Sequence, residues 1–429
     1  MTVVRESRQW VGGRVDRLVG SCRRRPARIY WISVPVSVLA IVALLRYVGT
    51  YFLDLDVYRL GVQTWLAGGD IYGVLPHTWL GIVLPFIYPP FAAMLMVPLT
   101  LVSWTVAWIS LFVLSLGALA LTVYLFIRRL WPSGGRAGAC ASTSLLVPVC
   151  LVLEPVSETF KFGQINLILM ALVAADCLVE RTRWPRGALI GLAAAIKLTP
   201  AAFVLFFLLR GDRRAVIVAG VTGLLATALG AVVAPAQSLR YWGGGLAGAG
   251  GLSGSPFFTN QTFQAVFTRA GIIGTERTAG WLVLSGCLLL LAVPAIRRAP
   301  APLALVATAG VALLVSPTSW SHHWVWVAPG LVVSAASALR ARSAGWGWVT
   351  AVVAVTFVVA AHQFLPHADQ RELTWSVPQQ IFGASYVIVA VALNVVLWRK
   401  WRLQPAARPD RRRPKLGLPV DQACPPTTL

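Results

Sequence analysis

Apolar residues gather along the chain in repeated runs of about 15 to 23, near the roughly 20 that one helix needs to cross a 30 Å hydrocarbon core. Such runs are too long and too uniformly apolar for the alternating strands of a lipid-facing barrel. The pattern therefore predicts an all-α polytopic membrane protein. Ten runs read as full spans: 30–48, 104–127, 137–153, 164–178, 216–233, 279–296, 303–315, 324–339, 349–361 and 381–398. Two more, 84–100 with "FIYPPFAAM" and 187–209 with "AAAIKLTPAAF", contain proline, which removes a helix donor and predicts a short broken hairpin in each. No repeat with a period of about 20 to 50 residues is evident, which argues against a solenoid.

Composition agrees with the pattern: 57% of the 429 residues are hydrophobic, 12% are charged, and the mean hydropathy is +0.72. The net charge of +22 changes the picture only through its placement. Arginines cluster before the first run and after the last, as they do on the cytoplasmic side of membrane helices, where they fix orientation and meet anionic headgroups. No aromatic platform accompanies them, so nucleic acid is not an expected partner. With the N-terminus inside, the short basic loops alternate correctly only if 84–100 enters and leaves from outside and 187–209 from inside. Both termini then lie in the cytoplasm. Segment 30–48 reads as a retained first span rather than a removed signal peptide. Three parts follow: a basic cytoplasmic segment over 1–29, the membrane domain over 30–404, and a Pro- and Arg-rich tail over 405–429 expected to be disordered. The six cysteines form no CxxC pair and imply neither a disulfide framework nor a zinc site.

This topology collects the scarce acids and histidines on the outer face. Asp54, Asp56, Arg59, Asp70 and His77 fall in the first outer loop; "GQIN", "SPFFTNQTFQ" and "SPTSWSHHW" follow at other outer ends. A D-x-D pair can bind a metal that bridges a nucleotide diphosphate, but the chain has no room for the soluble nucleotide-binding domain which that chemistry needs, and no metal site is expected. On a helix, positions i and i+2 point about 200° apart, so Asp54 and Asp56 do not share one task. One of them can act as a general base while the other caps a helix or pairs with a cation. N-capping of "VYRLGVQTWLAG" by the aspartates is the plainer alternative.

Together, "DLDVYRLG", "FIYPPFAAM", "GQINLILMAL", "AAAIKLTPAAF" and "SPTSWSHHWVW" make the chain resemble glycosyltransferase family 87 over roughly 30–398. These are polyprenol-phosphate-mannose-dependent mannosyltransferases of the membrane-embedded GT-C class, and longer stretches resemble the mycobacterial branch that acts on phosphatidylinositol mannosides. The resemblance implies inverting transfer of mannose from a polyprenyl-phosphate-mannose donor to the 2-hydroxyl of a mannose on a phosphatidylinositol mannoside. The step is the fourth-to-fifth mannose, in α-1,2 linkage, at the outer face of the plasma membrane, without a cofactor. It further implies Asp54 as general base, with Asp56 as the alternative. Lys197, His322, His323 and Arg59 are then the candidates for the leaving phosphate. Tyr88, Gln164, Asn166, Asn260, Gln261, Trp320 and Trp324 are the candidates for holding sugar. Two other functions fit the same sequence: α-1,2 branching of lipomannan or lipoarabinomannan, and transport of a lipid or sugar. Against transport, acids at mid-span are nearly absent.

Overall fold

The structure, a computed structural model, describes residues 26–49, 51–245 and 252–404. Nearly all of the basic segment expected over 1–29, and the tail over 405–429, lie outside the described residues. Among those described, every regular element is a helix; the only strand-like pairing is an antiparallel bridge between Asn260 and Trp320.

Helix α1 (Pro26–Val48) leads through Gly49 into α2 (Leu53–Leu66), which carries Asp54 and Asp56 in its first turn. Acidic side chains suit that position because they face the positive end of the helix dipole. The N-cap, however, is Phe52, without a side-chain hydrogen bond, so neither aspartate has the capping role that the sequence left open. Residues 84–89 run without helix into α3 (Pro90–Thr100), where Pro90 sits in the first turn. A proline is tolerated there because its missing N–H has no helical partner to lose. The double proline thus starts one helix rather than dividing two, and 84–100 is not a helical hairpin.

Helix α4 (Trp104–Leu130) is capped by Ser103, whose Oγ accepts from the Val106 N–H. Helix α5 (Gly135–Leu151) bends by 77° into α6 (Glu154–Phe162), which ends at Gly163 in the left-handed conformation. Then come α7 (Asn166–Leu178) and α8 (Ala188–Ile196). Lys197 is extended, and the chain resumes as a 3-10 turn (Thr199–Phe203) and α9 (Val204–Leu209). The break in 187–209 therefore falls at Lys197, just ahead of Pro200. Helices α10 (Arg213–Val233), α11 (Pro235–Arg240), α12 (Phe263–Arg269), α13 (Gly274–Arg298) and α14 (Ala301–Val315) follow. A 3-10 turn (Ser321–Trp326) enters α15 (Val327–Ala341), succeeded by α16 (Ala344–Val359) and by α17 (Val377–Gly383), which bends by 67° into α18 (Ser385–Trp401).

Six helices among the described residues are long and apolar enough to cross a membrane, or eight if each bent pair is one span. Helix lengths therefore do not give ten full spans. The runs at 164–178 and 303–315 fold as α7 and α14, of 13 and 15 residues, about 20 and 22 Å at 1.5 Å per residue. Each gives way at one end to irregular chain, "GQIN" before α7 and "SPTSW" after α14, and those two stretches build the site. In lipid, such irregular backbone is tolerated where protein or a cavity surrounds it.

Small residues set the seat of α8. A Cβ on Gly187 would overlap the carbonyl of Ala215, and one on Gly191 the carbonyl of Ala219, so α8 lies backbone against backbone on α10. Close approach of this kind is how helices associate in lipid, where burying apolar surface gives no drive. Lys197 leaves the end of the helix held in this way.

Candidate active site

Asp54 and Gln164 meet where the first turn of α2 packs beside the stretch that precedes α7. The Gln164 Nε2–H donates to Oδ2 of Asp54 at 2.5 Å, and Oε1 of Gln164 accepts from the Tyr58 hydroxyl at 3.0 Å and the Tyr88 hydroxyl at 3.1 Å. The two phenol oxygens lie 2.9 Å apart. Oδ1 of Asp54 has no hydrogen-bond partner among the described residues. Burial pushes the Asp54 carboxyl up to about 6, against the lowering effects of the Gln164 hydrogen bond and the Lys197 charge. A carboxylate so poised is fitted to take a proton near neutral pH. Asp56 turns the other way, as the helical offset requires: it is buried, and its Oδ2 accepts from the Trp79 backbone N–H at 2.8 Å, tying down the loop after α2.

Beyond Tyr88, Lys197 donates from Nζ to Oδ1 of Asn166 at 3.0 Å, reaches Nε2 of His323 at 3.2 Å, and stands 5.4 Å from the centre of the Tyr88 ring. His322 is held through its backbone, whose carbonyl accepts from Thr159 Oγ1 and Asn166 Nδ2. Its ring packs on those of Phe162 and His323. A cavity of about 720 Å³ opens beside this cluster. Tyr88, Lys197, His323 and Trp320 stand among its polar lining; Leu198, Leu205, Leu208, Leu289, Val311 and Val315 make the rest apolar. Such a cavity suits a ligand with a charged head and a hydrocarbon tail. No group of three or more His, Cys, Asp or Glu side chains placed to hold a metal ion occurs among the described residues.

The remaining candidates lie elsewhere in the packing. Arg59 bonds to the carbonyls of Leu99 and Val102 and stands over the Trp104 ring, so it braces the turn between α3 and α4 rather than facing the Lys197 cluster. Asn260 and Gln261 are fully buried: Nδ2 of Asn260 donates to the Ser255 carbonyl and its Oδ1 accepts from the Ser319 N–H, while Nε2 of Gln261 donates to the carbonyls of Phe258 and Gly383. Both fasten loops. Trp324 is buried against Phe357 and Tyr386 and presents no face to the cavity. Sequence reasoning missed Tyr58, although its spacing of i+4 from Asp54 places both on one helix face. It also missed Thr159, whose role no local pattern announces.

Several apolar helices of membrane-crossing length, with a half-buried carboxylate and a cation at the head of an apolar cavity between them, define a multi-pass membrane protein. The family model for glycosyltransferase family 87 matches residues 86–317. A polyprenol-phosphate-mannose-dependent alpha-(1-2)-phosphatidylinositol mannoside mannosyltransferase from Mycolicibacterium smegmatis is 38% identical over 369 residues, 81% of this chain and 83% of its own. The protein of the same description from Mycobacterium tuberculosis is 36% identical over 404 residues, 90% of this chain and 92% of its own. A polyprenol-phosphate-mannose-dependent alpha-(1-2)-phosphatidylinositol pentamannoside mannosyltransferase from M. smegmatis is 34% identical over 342 residues, 75% and 81% of the two chains. The chain belongs to glycosyltransferase family 87 and is a glycosyltransferase.

Proposed function

We propose that this chain transfers mannose from a polyprenyl-phosphate-mannose donor to the 2-hydroxyl of a mannose on a phosphatidylinositol mannoside, at the outer face of the membrane, adding the fifth mannose to four. The observation that carries this reading is the pairing of a carboxylate with a cation: Asp54, held through Oδ2 by Gln164, lies within electrostatic reach of Lys197, which stands with His323 at the polar end of the cavity. The names of the relatives at 38% and 36% identity supply the donor and acceptor classes.

The step is a single displacement. Oδ1 of Asp54 takes the proton from the acceptor 2-hydroxyl, whose oxygen forms a bond to the anomeric carbon. The bond from that carbon to the phosphate oxygen breaks with its electron pair, leaving polyprenyl phosphate. A β-linked donor then gives the α product. Lys197 is a preorganised charge where negative charge grows on the leaving phosphate. Being donor-only, an ammonium bonded to Nε2 of His323 requires that nitrogen to accept, which puts the ring proton on Nδ1, available as a second donor. The prenyl chain lies along the apolar wall formed by Leu198, Leu205 and Leu208.

A second acceptor is favoured by one finding, the 34% identity to a relative named for the pentamannoside. Purified full-length chain, supplied with polyprenyl-phosphate-mannose and either tetra- or pentamannosylated phosphatidylinositol, tests both. The expected product is one hexose heavier than the tetramannoside by mass spectrometry, with the new linkage at O2. Extension of the pentamannoside alone shifts the step by one; no product from either acceptor removes the reading.

A further inference from the structure

Gln164 does not have the geometry of a sugar-binding amide. Its Oε1 is occupied by two phenol hydroxyls, and its Nε2 donates to Asp54, so most of its hydrogen-bonding capacity is taken up inside the protein. It is also 6% exposed. Four groups from three separate elements converge here: Asp54 and Tyr58 from the first turns of α2, Tyr88 from the chain entering α3, and Gln164 from the loop before α7.

The orientation of the amide is dictated. Asp54 as a carboxylate only accepts, so the nitrogen of Gln164 must face it and the oxygen must face the tyrosines. Phenol hydroxyls are donors to a carbonyl oxygen, and two of them aimed at Oε1 make the reversed amide unfavourable. A rotation that brought Oε1 toward Asp54 would set two acceptors against each other and leave a phenol hydrogen without its partner in a buried place, which costs about 1–3 kcal/mol. Tyr58 and Tyr88 themselves are fixed by an edge-on ring contact at 5.1 Å, and both are buried.

We propose that Gln164 is the positioning residue of this site: locked by Tyr58 and Tyr88, it holds Oδ2 of Asp54 so that Oδ1 faces the acceptor hydroxyl. The inference rests on the reaction proposed above, and the arrangement resembles the general one in which a third group orients a base. Two consequences follow from the chemistry. Removal of the Nε2–H donor takes away a bond made to the charged form, so the Asp54 carboxyl ionises at higher pH. It also frees the carboxylate to rotate, which lowers turnover more than binding.

The test uses the full-length protein with two independent readouts. An infrared titration without substrate follows the protonated carboxyl band that Asp54→Asn abolishes. In Gln164→Leu its midpoint rises by about one pH unit. In the transfer assay the same variant loses about 10- to 100-fold in kcat with acceptor KM changed by less than about threefold. Gln164→Met, which keeps the length and nearly the volume of the side chain without the donor, guards against a packing defect; it is expected to lose turnover and raise the titration midpoint as Gln164→Leu does. The double change Tyr58→Phe with Tyr88→Phe gives a smaller loss of the same kind. A rise in acceptor KM with an unmoved midpoint overturns the proposal and returns Gln164 to sugar binding. A shifted midpoint in a chain that transfers no mannose overturns the proposed reaction and leaves the hold of Gln164 on Asp54 standing.

Discussion

Lys197 and His323 are hydrogen-bonded at 3.2 Å although 126 residues separate them, and the bond joins the break after α8 to the turn before α15. A lone ammonium at the head of an apolar cavity is costly to bury unless anionic or acceptor groups surround it. Here Oδ1 of Asn166, Nε2 of His323 and the face of Tyr88 do so. The charged neighbour of the ammonium is Asp54, which favours it, and in the proposed reaction the phosphate of a lipid donor adds a second negative charge.

Lys197→Met is accordingly expected to lower kcat/KM by about 10²- to 10³-fold, the effect of removing one preorganised group from a developing oxyanion. Initial rates at varied donor concentration read it. His323→Ala costs less, since the ammonium remains. Near-normal transfer by Lys197→Met would place phosphate recognition elsewhere.

The two aspartates should separate cleanly. Asp54→Asn removes the base and lowers turnover by about 10² to 10⁴-fold. Asp56→Ala leaves turnover within about threefold but removes the hydrogen bond that ties down the Trp79 N–H, a loss of about 1 kcal/mol visible as a slightly lower thermal midpoint. Full activity in Asp54→Asn together with inactivity in Asp56→Ala would reverse the assignment.

Activity should rise with pH through about 6. Asp54 must be ionised to take a proton, and burial holds its carboxyl near that value, so kcat/KM falls about tenfold for each unit below it. Lys197→Met moves the limb upward, because the ammonium favours the carboxylate. Stability has the opposite sign. The folded-state value lies above the unfolded one, so the unfolded chain ionises first and stability declines as pH rises from about 4 to 6, remaining lower above that. Asp54→Asn removes its share of the decline and makes it shallower, and unfolding midpoints of both proteins across pH 4 to 8, roughly the window that contains both values, test it.

Several of these groups were legible in the sequence for physical reasons. Lys197 is a single cation in an apolar run, and Asp54 with Asp56 at i and i+2 cannot face one way on a helix. Asn260 and Gln261 misled because amides in a loop look alike whether they bind sugar or fasten backbone, and only burial tells them apart. Arg59 is three residues beyond Asp56, yet its side chain turns to carbonyls 40 and 43 residues away. Helix length does not reproduce the expected spans at α7 and α14, because hydropathy does not report where a helix stops and irregular chain begins lining a cavity. Contacts such as Gln164 with Asp54, 110 residues apart, have no local signature.

The seat of α8 offers a test that reaches the site from a distance. Gly191 lies backbone to backbone on Ala219, and Cβ atoms have no room there; Gly220, on the same helix α10, has open space around it. Gly191→Val must push α8 off α10, at about 1–3 kcal/mol for overpacking, and because Lys197 leaves the end of α8, the shift also misplaces the ammonium. Gly220→Ala removes backbone freedom without a clash and is expected to be neutral or stabilising by about 0.5–1 kcal/mol. Thermal unfolding in detergent and donor KM, measured on both variants, should therefore move together for Gly191→Val and stay unchanged or improve for Gly220→Ala. A lower unfolding midpoint with an unaltered donor KM in Gly191→Val would mean that Lys197 is positioned by Asn166 and His323 alone, independently of the helix that carries it.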